Sequence, residues 1–130
     1  MSRENVEIVR RFLRAYSDEQ LDTVAETIFD AAVEWRASDV FGVLHGREAV
    51  VAHLNDLAAS FDHPEITATD LLDVGDHVIA TIQGSFVGRT TGAGVDLRFA
   101  AVFSLHASRM VLVREFETRA EALQAVGLEE

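Results

Sequence analysis

The sequence predicts an α+β domain, and three observations carry that prediction. Apolar residues recur at helical spacing through the first half, they alternate with period two through the second, and no linker separates the halves. At 130 residues with 48% hydrophobic content, the chain has room for one core and is read as a single domain over 1–130.

The elements follow in order. Val6, Val9, Leu13 and Tyr16, flanked by Ile8 and Phe12, form one apolar stripe and predict a first helix. Ser17 with Gln20 fits a capping box, after which Leu21, Val24, Ile28 and Phe29 predict a second, short helix ending near Asp30. A short strand around Trp35 comes next. Gly46 then precedes a third helix with Val50, His53, Leu54 and Leu57 on one face.

From there the period changes to two. Residues 66–73 read as a strand, "DVGD" turns the chain at Gly75, and 78–87 alternates Val78, Ala80, Ile82 and Phe86 with Ile79, Thr81, Gln83 and Ser85. After "GRTTGAG", a strand carries Leu97, Phe99, Ala101, Phe103 and Leu105 on one face and Arg98, Ala100 and Val102 on the other. The turn "HASR" leads to a last strand, and "RAEALQAVGL" closes as a helical tail stopped by Gly127.

Charge and composition exclude several classes of function. Eleven Lys and Arg against 22 Asp and Glu give a net charge of −11, which repels a phosphate backbone, so no nucleic acid partner is expected. No apolar run approaches the ~20 residues needed to cross a bilayer, and "MSRENVEIVRRF" lacks the pattern of a signal peptide. A soluble, cytoplasmic protein with no membrane partner is the expectation. The absence of cysteine removes thiol nucleophiles and thiolate metal sites, and the histidines show no spacing for a shared metal. No cofactor or metal is expected.

The stretches "LHGREAVVAHLNDL", "FAAVFSLHASRMVLVREFET" and "RAEALQAVGL" together resemble the SnoaL-like proteins of the nuclear transport factor 2-like superfamily, over nearly the whole chain. That resemblance implies a cone-shaped α+β barrel: three N-terminal helices packed on a curved, mainly antiparallel sheet around a largely apolar pocket. It also implies a homodimer, and it leaves function open among isomerases, cyclases, hydrolases and non-catalytic binders.

The active members imply particular residues. Steroid isomerases of this fold use a first-helix tyrosine, a first-strand aspartate and a later protonated aspartate. Those positions fall at about Phe12, Trp35 and Ala100, none of which moves a proton. The epoxide hydrolases resembling this fold place a carboxylate in the last strand, where "REF" offers Glu115. For a cyclase-type acid or base the candidate is Asp39.

The residues themselves offer Asp39, His53 and Glu115 as candidate catalytic groups. His53 at helical spacing is a base titrating near neutrality or a core-edge histidine bonded to a neighbour. Trp35 gives a ring-bearing ligand a flat wall and one N–H donor, or caps the core. Phe12 and Tyr16, four apart, point the same way. If the cavity face carries Arg98, Ala100 and Val102, it also carries Val113, Glu115 and Glu117, with Gln83 alongside. On that assignment Arg98 pairs with Glu115 or Glu117, as a ligand contact or as a structural ion pair. The opposite face of Leu97, Phe99, Phe103, Leu105, Leu112 and Phe116 then needs a cover, and a second subunit packing sheet to sheet supplies it. The reading of function is a pocket for a small hydrophobic molecule; the alternatives are an isomerase-, cyclase- or hydratase-type enzyme and a dimerising scaffold with a filled cavity.

Overall fold

The computed structural model describes residues 2–18, 20–37 and 42–128. The order is α1 (Ser2–Ser17), α2 (Leu21–Ile28), β1 (Phe29–Arg36), β2 (Val43–His45), α3 (Arg47–Ala59), β3 (Phe61–Val74), β4 (His77–Gly88), β5 (Gly94–His106), β6 (Arg109–Phe116) and α4 (Arg119–Ala125). The strands form one sheet in the order β2-β1-β6-β5-β4-β3, in which only β1 and β6 run parallel. Among the described residues no helix is long and apolar enough to cross a membrane.

The helical stripe of α1 is buried as its spacing predicts, with Val9, Phe12, Leu13 and Tyr16 packed against the inner face of the sheet. Two local expectations fail. Helix α2 stops at Ile28, because Phe29 takes an extended conformation and opens β1 with its ring buried. Ser17 does not cap α2, whose N-cap is Gln20 without a side-chain bond. The Ser17 hydroxyl instead accepts from Ile66 N (3.0 Å) and donates to Ile66 O (3.2 Å), satisfying both backbone groups of one residue on the edge strand β3. The box that does form is Thr118 with Glu121, at the start of α4.

The largest departure from expectation is in the β5–β6 hairpin. Leu105 pairs with Met110, but Ser104 pairs with Leu112, so Val111 is an extra residue in the ladder. Without it, Val102 would oppose Val113 and Ala100 would oppose Glu115, the alternation assumed from sequence. With it, Phe103 opposes Val113 and Ala101 opposes Glu115. The residues predicted to share one face are thereby divided. Val113 and Glu115 lie on the inner face with Phe99, Ala101, Phe103 and Leu105, whereas Gln83, Arg98 and Ala100 lie on the outer face with Leu112 and Phe116.

The six residues expected to form a subunit face are divided by the same slip. Phe99, Phe103 and Leu105 already belong to the core beneath the helices. On the outer face, α4 lays Ala122 and Leu123 over Ile79, Ala100 and Val102, with Phe116 at the margin of this smaller cluster. The helical tail covers part of the surface that the sequence reading gave to a partner.

Candidate functional site

The inner face has a filled end. In β1 the alternation turns Val33 and Trp35 inward, and α1 sets Phe12 against Trp35 with ring centroids 5.7 Å apart. Phe29 lies 6.3 Å and Phe103 6.5 Å from the same indole, both edge-on. Phe12, Phe29 and Phe103 are each no more than 3% exposed, so these rings pack against one another and leave the indole N–H as the polar group in need of a partner.

That partner is Glu115. Trp35 Nε1 donates to Glu115 Oε2 at 2.6 Å, across a parallel strand pair that aligns Trp35 with Val113. Burial raises the Glu115 carboxyl above the usual carboxylate range, and the indole hydrogen bond and the charge of His53 pull it back in part. His53 sits half-buried on α3 between Val50 and Leu54, which anchor the helix in the core. The carboxyl is thereby drawn towards its protonated form, with the His53 imidazole acting on its charge.

Glu115 also opens onto space. Strand β6 ends at Phe116, opposite Ala100, while β5 continues to Gly94. Val95–Phe99 therefore pair with β4 on one side and, among the described residues, have no backbone partner on the other. A hollow of about 610 Å³ occupies the missing lane, lined by Ala37, Arg98, Phe99, Glu115, Phe116, Glu117, Thr118 and Glu121. A larger hollow of about 680 Å³ lies between α1 and β3, floored by Leu13 and Ile66. It shares no residue with the Trp35–Glu115–His53 group, so the smaller one is the candidate site.

The sequence-predicted residues sort accordingly. Trp35, His53, Glu115 and Phe12 come together, and Val113 packs beside them in the core. Arg98 and Glu117 border the hollow, but the expected ion pair between Arg98 and Glu115 or Glu117 does not form among the described residues. Gln83 and Ala100 are absent from the hollow's lining, and the inward neighbours of Ala100 are Phe99 and Ala101, which likewise move no proton. Tyr16 borders a separate hollow of about 240 Å³ with Asn55 and Arg89, and burial pushes its phenol up to about 12. Asp39 and Phe41 lie outside the described residues. Sequence reasoning missed Ala37, Phe99, Phe116, Thr118 and Glu121 as lining residues; the Thr-x-x-Glu spacing of the last two was a legible signal.

The model of the SnoaL-like domain matches residues 9–113. The chain belongs to the SnoaL-like family. Solved structures agree on the fold. A protein from Jannaschia sp. CCS1 described as a SnoaL-like polyketide cyclase is 18% identical, with 99% of this chain and 95% of that one covered at a TM-score of 0.79. A ketosteroid isomerase-like protein from Catenulispora acidiphila, solved with trimethylamine, is 17% identical over 94% and 93% of the two chains, with a TM-score of 0.77. SalBIII, an epoxide hydrolase/cyclase-like enzyme of pyran ring formation in salinomycin, is 18% identical over 89% and 92%, with a TM-score of 0.78. No curated protein matches the chain by sequence. At these identities the likeness establishes the SnoaL-like, ketosteroid isomerase-like fold alone.

Proposed function

We propose that this SnoaL-like chain is a cytoplasmic protein that binds a small, largely apolar molecule in the 610 Å³ hollow, with Glu115 as its polar contact and Phe99 and Phe116 as its walls. The observation that carries this reading is the half-buried Glu115 carboxyl, held by Trp35 and bordering open space. A structural carboxylate has no need of a hollow at its side. The small molecule held by the Catenulispora structure supports the same use of this fold.

The electrostatic influence of His53 on the Glu115 carboxyl favours a second reading, in which the bound molecule undergoes proton transfer of an isomerase, cyclase or hydratase type. We also propose a homodimer, formed through the part of the outer face around Leu112 that α4 leaves uncovered.

Trp35 is the chain's single tryptophan, so its emission reports on the site directly. Titration with steroids, polyketide-like aromatics, terpenoid epoxides and fatty acids should find a compound that changes Trp35 emission and raises the melting temperature. Glu115→Gln should weaken that binding about tenfold, as loss of a hydrogen bond to a charged group does. If no compound in the panel alters emission or melting, the binding reading fails and the fold is better regarded as a scaffold. Turnover by wild type that disappears in both Glu115→Gln and His53→Gln would establish the catalytic reading. Sedimentation showing only monomer at micromolar concentration would remove the dimer.

A further inference from the structure

Resting on the reading of the hollow as a binding site, we infer that its ligand is a cation, an organic amine or ammonium carrying apolar groups. The hollow and the half-buried Glu115 carboxyl that borders it make the site; the surrounding side chains decide what enters. Three of the eight lining residues are carboxylates, Glu115, Glu117 and Glu121, and the one cation is Arg98. Arg98 departs from the outer face of β5 and pairs with none of the three among the described residues, so it leaves their charge in place. The walls are Phe99 and Phe116, with the indole of Trp35 directly behind Glu115.

Three ligand classes can be compared on this lining. An anion would enter against three carboxylates in a chain of net charge −11. A neutral apolar molecule would displace water from Glu117 and Glu121 and leave those carboxylates with less solvation and no new partner. An ammonium supplies the missing charge, and its carbon groups meet aromatic faces that attract cations. Only the third improves both the charge and the apolar contacts.

The test uses three probes of one size on the full chain, followed by Trp35 emission: benzyltrimethylammonium, its neutral isostere neopentylbenzene, and phenylacetate. The ammonium should bind at least about tenfold more tightly than the isostere in low salt. That margin should shrink severalfold near ~0.5 M salt. In the Glu117→Gln, Glu121→Gln double variant, where glutamine can still cap Thr118, the ratio of ammonium to isostere affinity should fall severalfold. Equal binding of ammonium and isostere would overturn the inference and leave the binding site standing. Preference for phenylacetate, lost on Arg98→Gln, would overturn it in favour of an anion. Failure of all three probes, together with the panel above, would remove the site and the inference with it.

Discussion

The two ends of the sheet on either side of Glu115 are built from the same kinds of residue and come out differently. At one end Phe12, Phe29, Trp35 and Phe103 fill the space between sheet and helices with rings. At the other, Phe99 and Phe116 border a hollow, because β6 has ended and nothing described occupies the lane beside Val95–Phe99. Glu115 stands at the boundary, bonded to the packed end and exposed to the open one. Aromatic content therefore does not distinguish the packed core from the open hollow in this chain; the length of the neighbouring strand does.

This contrast can be broken most forcefully at the packed end. Phe103→Ala should cost about 3–5 kcal/mol in urea denaturation, the usual cost of truncating a fully buried ring in a core that collapses poorly. A cost below about 1 kcal/mol would mean that the packed end is loose and the comparison unsound.

At the boundary, Trp35→Phe keeps most of the ring but removes the N–H that meets Glu115, so a loss of about 1–3 kcal/mol is expected. The Glu115 carboxyl should then rise further, visible as a shifted pH dependence of stability. Unchanged stability and unchanged pH dependence together would show that the 2.6 Å contact contributes nothing.

At the open end, Thr118→Ala removes the hydroxyl that accepts from Glu121 N at the start of α4, and about 1 kcal/mol should be lost in thermal unfolding. A larger loss would mean that α4 holds the outer cluster more tightly than its single cap suggests.

The smallest effect at acid pH is expected from Glu115→Gln, since the amide oxygen still accepts from Trp35. Its value lies in the sign. Because the folded-state pKa of Glu115 is raised, its contribution to stability is fully present below the unfolded carboxylate pKa and is lost as pH rises through the folded one. Wild type should therefore lose stability relative to Glu115→Gln as pH rises out of the carboxylate range. The opposite trend would show that the indole and His53 outweigh burial.

Much of this was legible in the sequence, for reasons that can be named. The apolar stripe of α1 and the alternation within β4 and β5 are local patterns, and local backbone geometry turns them into buried faces without reference to partners. Trp35 was singled out for its indole, and Glu115 as the last-strand carboxylate in "REF" to which the family resemblance points. Their meeting was not legible, since 80 residues separate them and the strand pairing that joins them is parallel. The paired face was misread for a different reason. The alternation of β6 was correct on each side of Val111, but the extra residue there reverses which face each half presents.

By itself, then, the sequence determined the α+β class, the change from helical to strand period along the chain, the candidate residues and the acidic net charge, because these depend on composition and on periods of two and 3.6 residues. Tertiary structure decided which side of the sheet Glu115 and Arg98 occupy, that α4 covers part of the outer face, and that a hollow remains beside Phe99. Those outcomes rest on the register between strands and on where one strand stops relative to its neighbour. Pairing energy is gained between segments distant in the chain, so the alternation of either strand alone does not specify it.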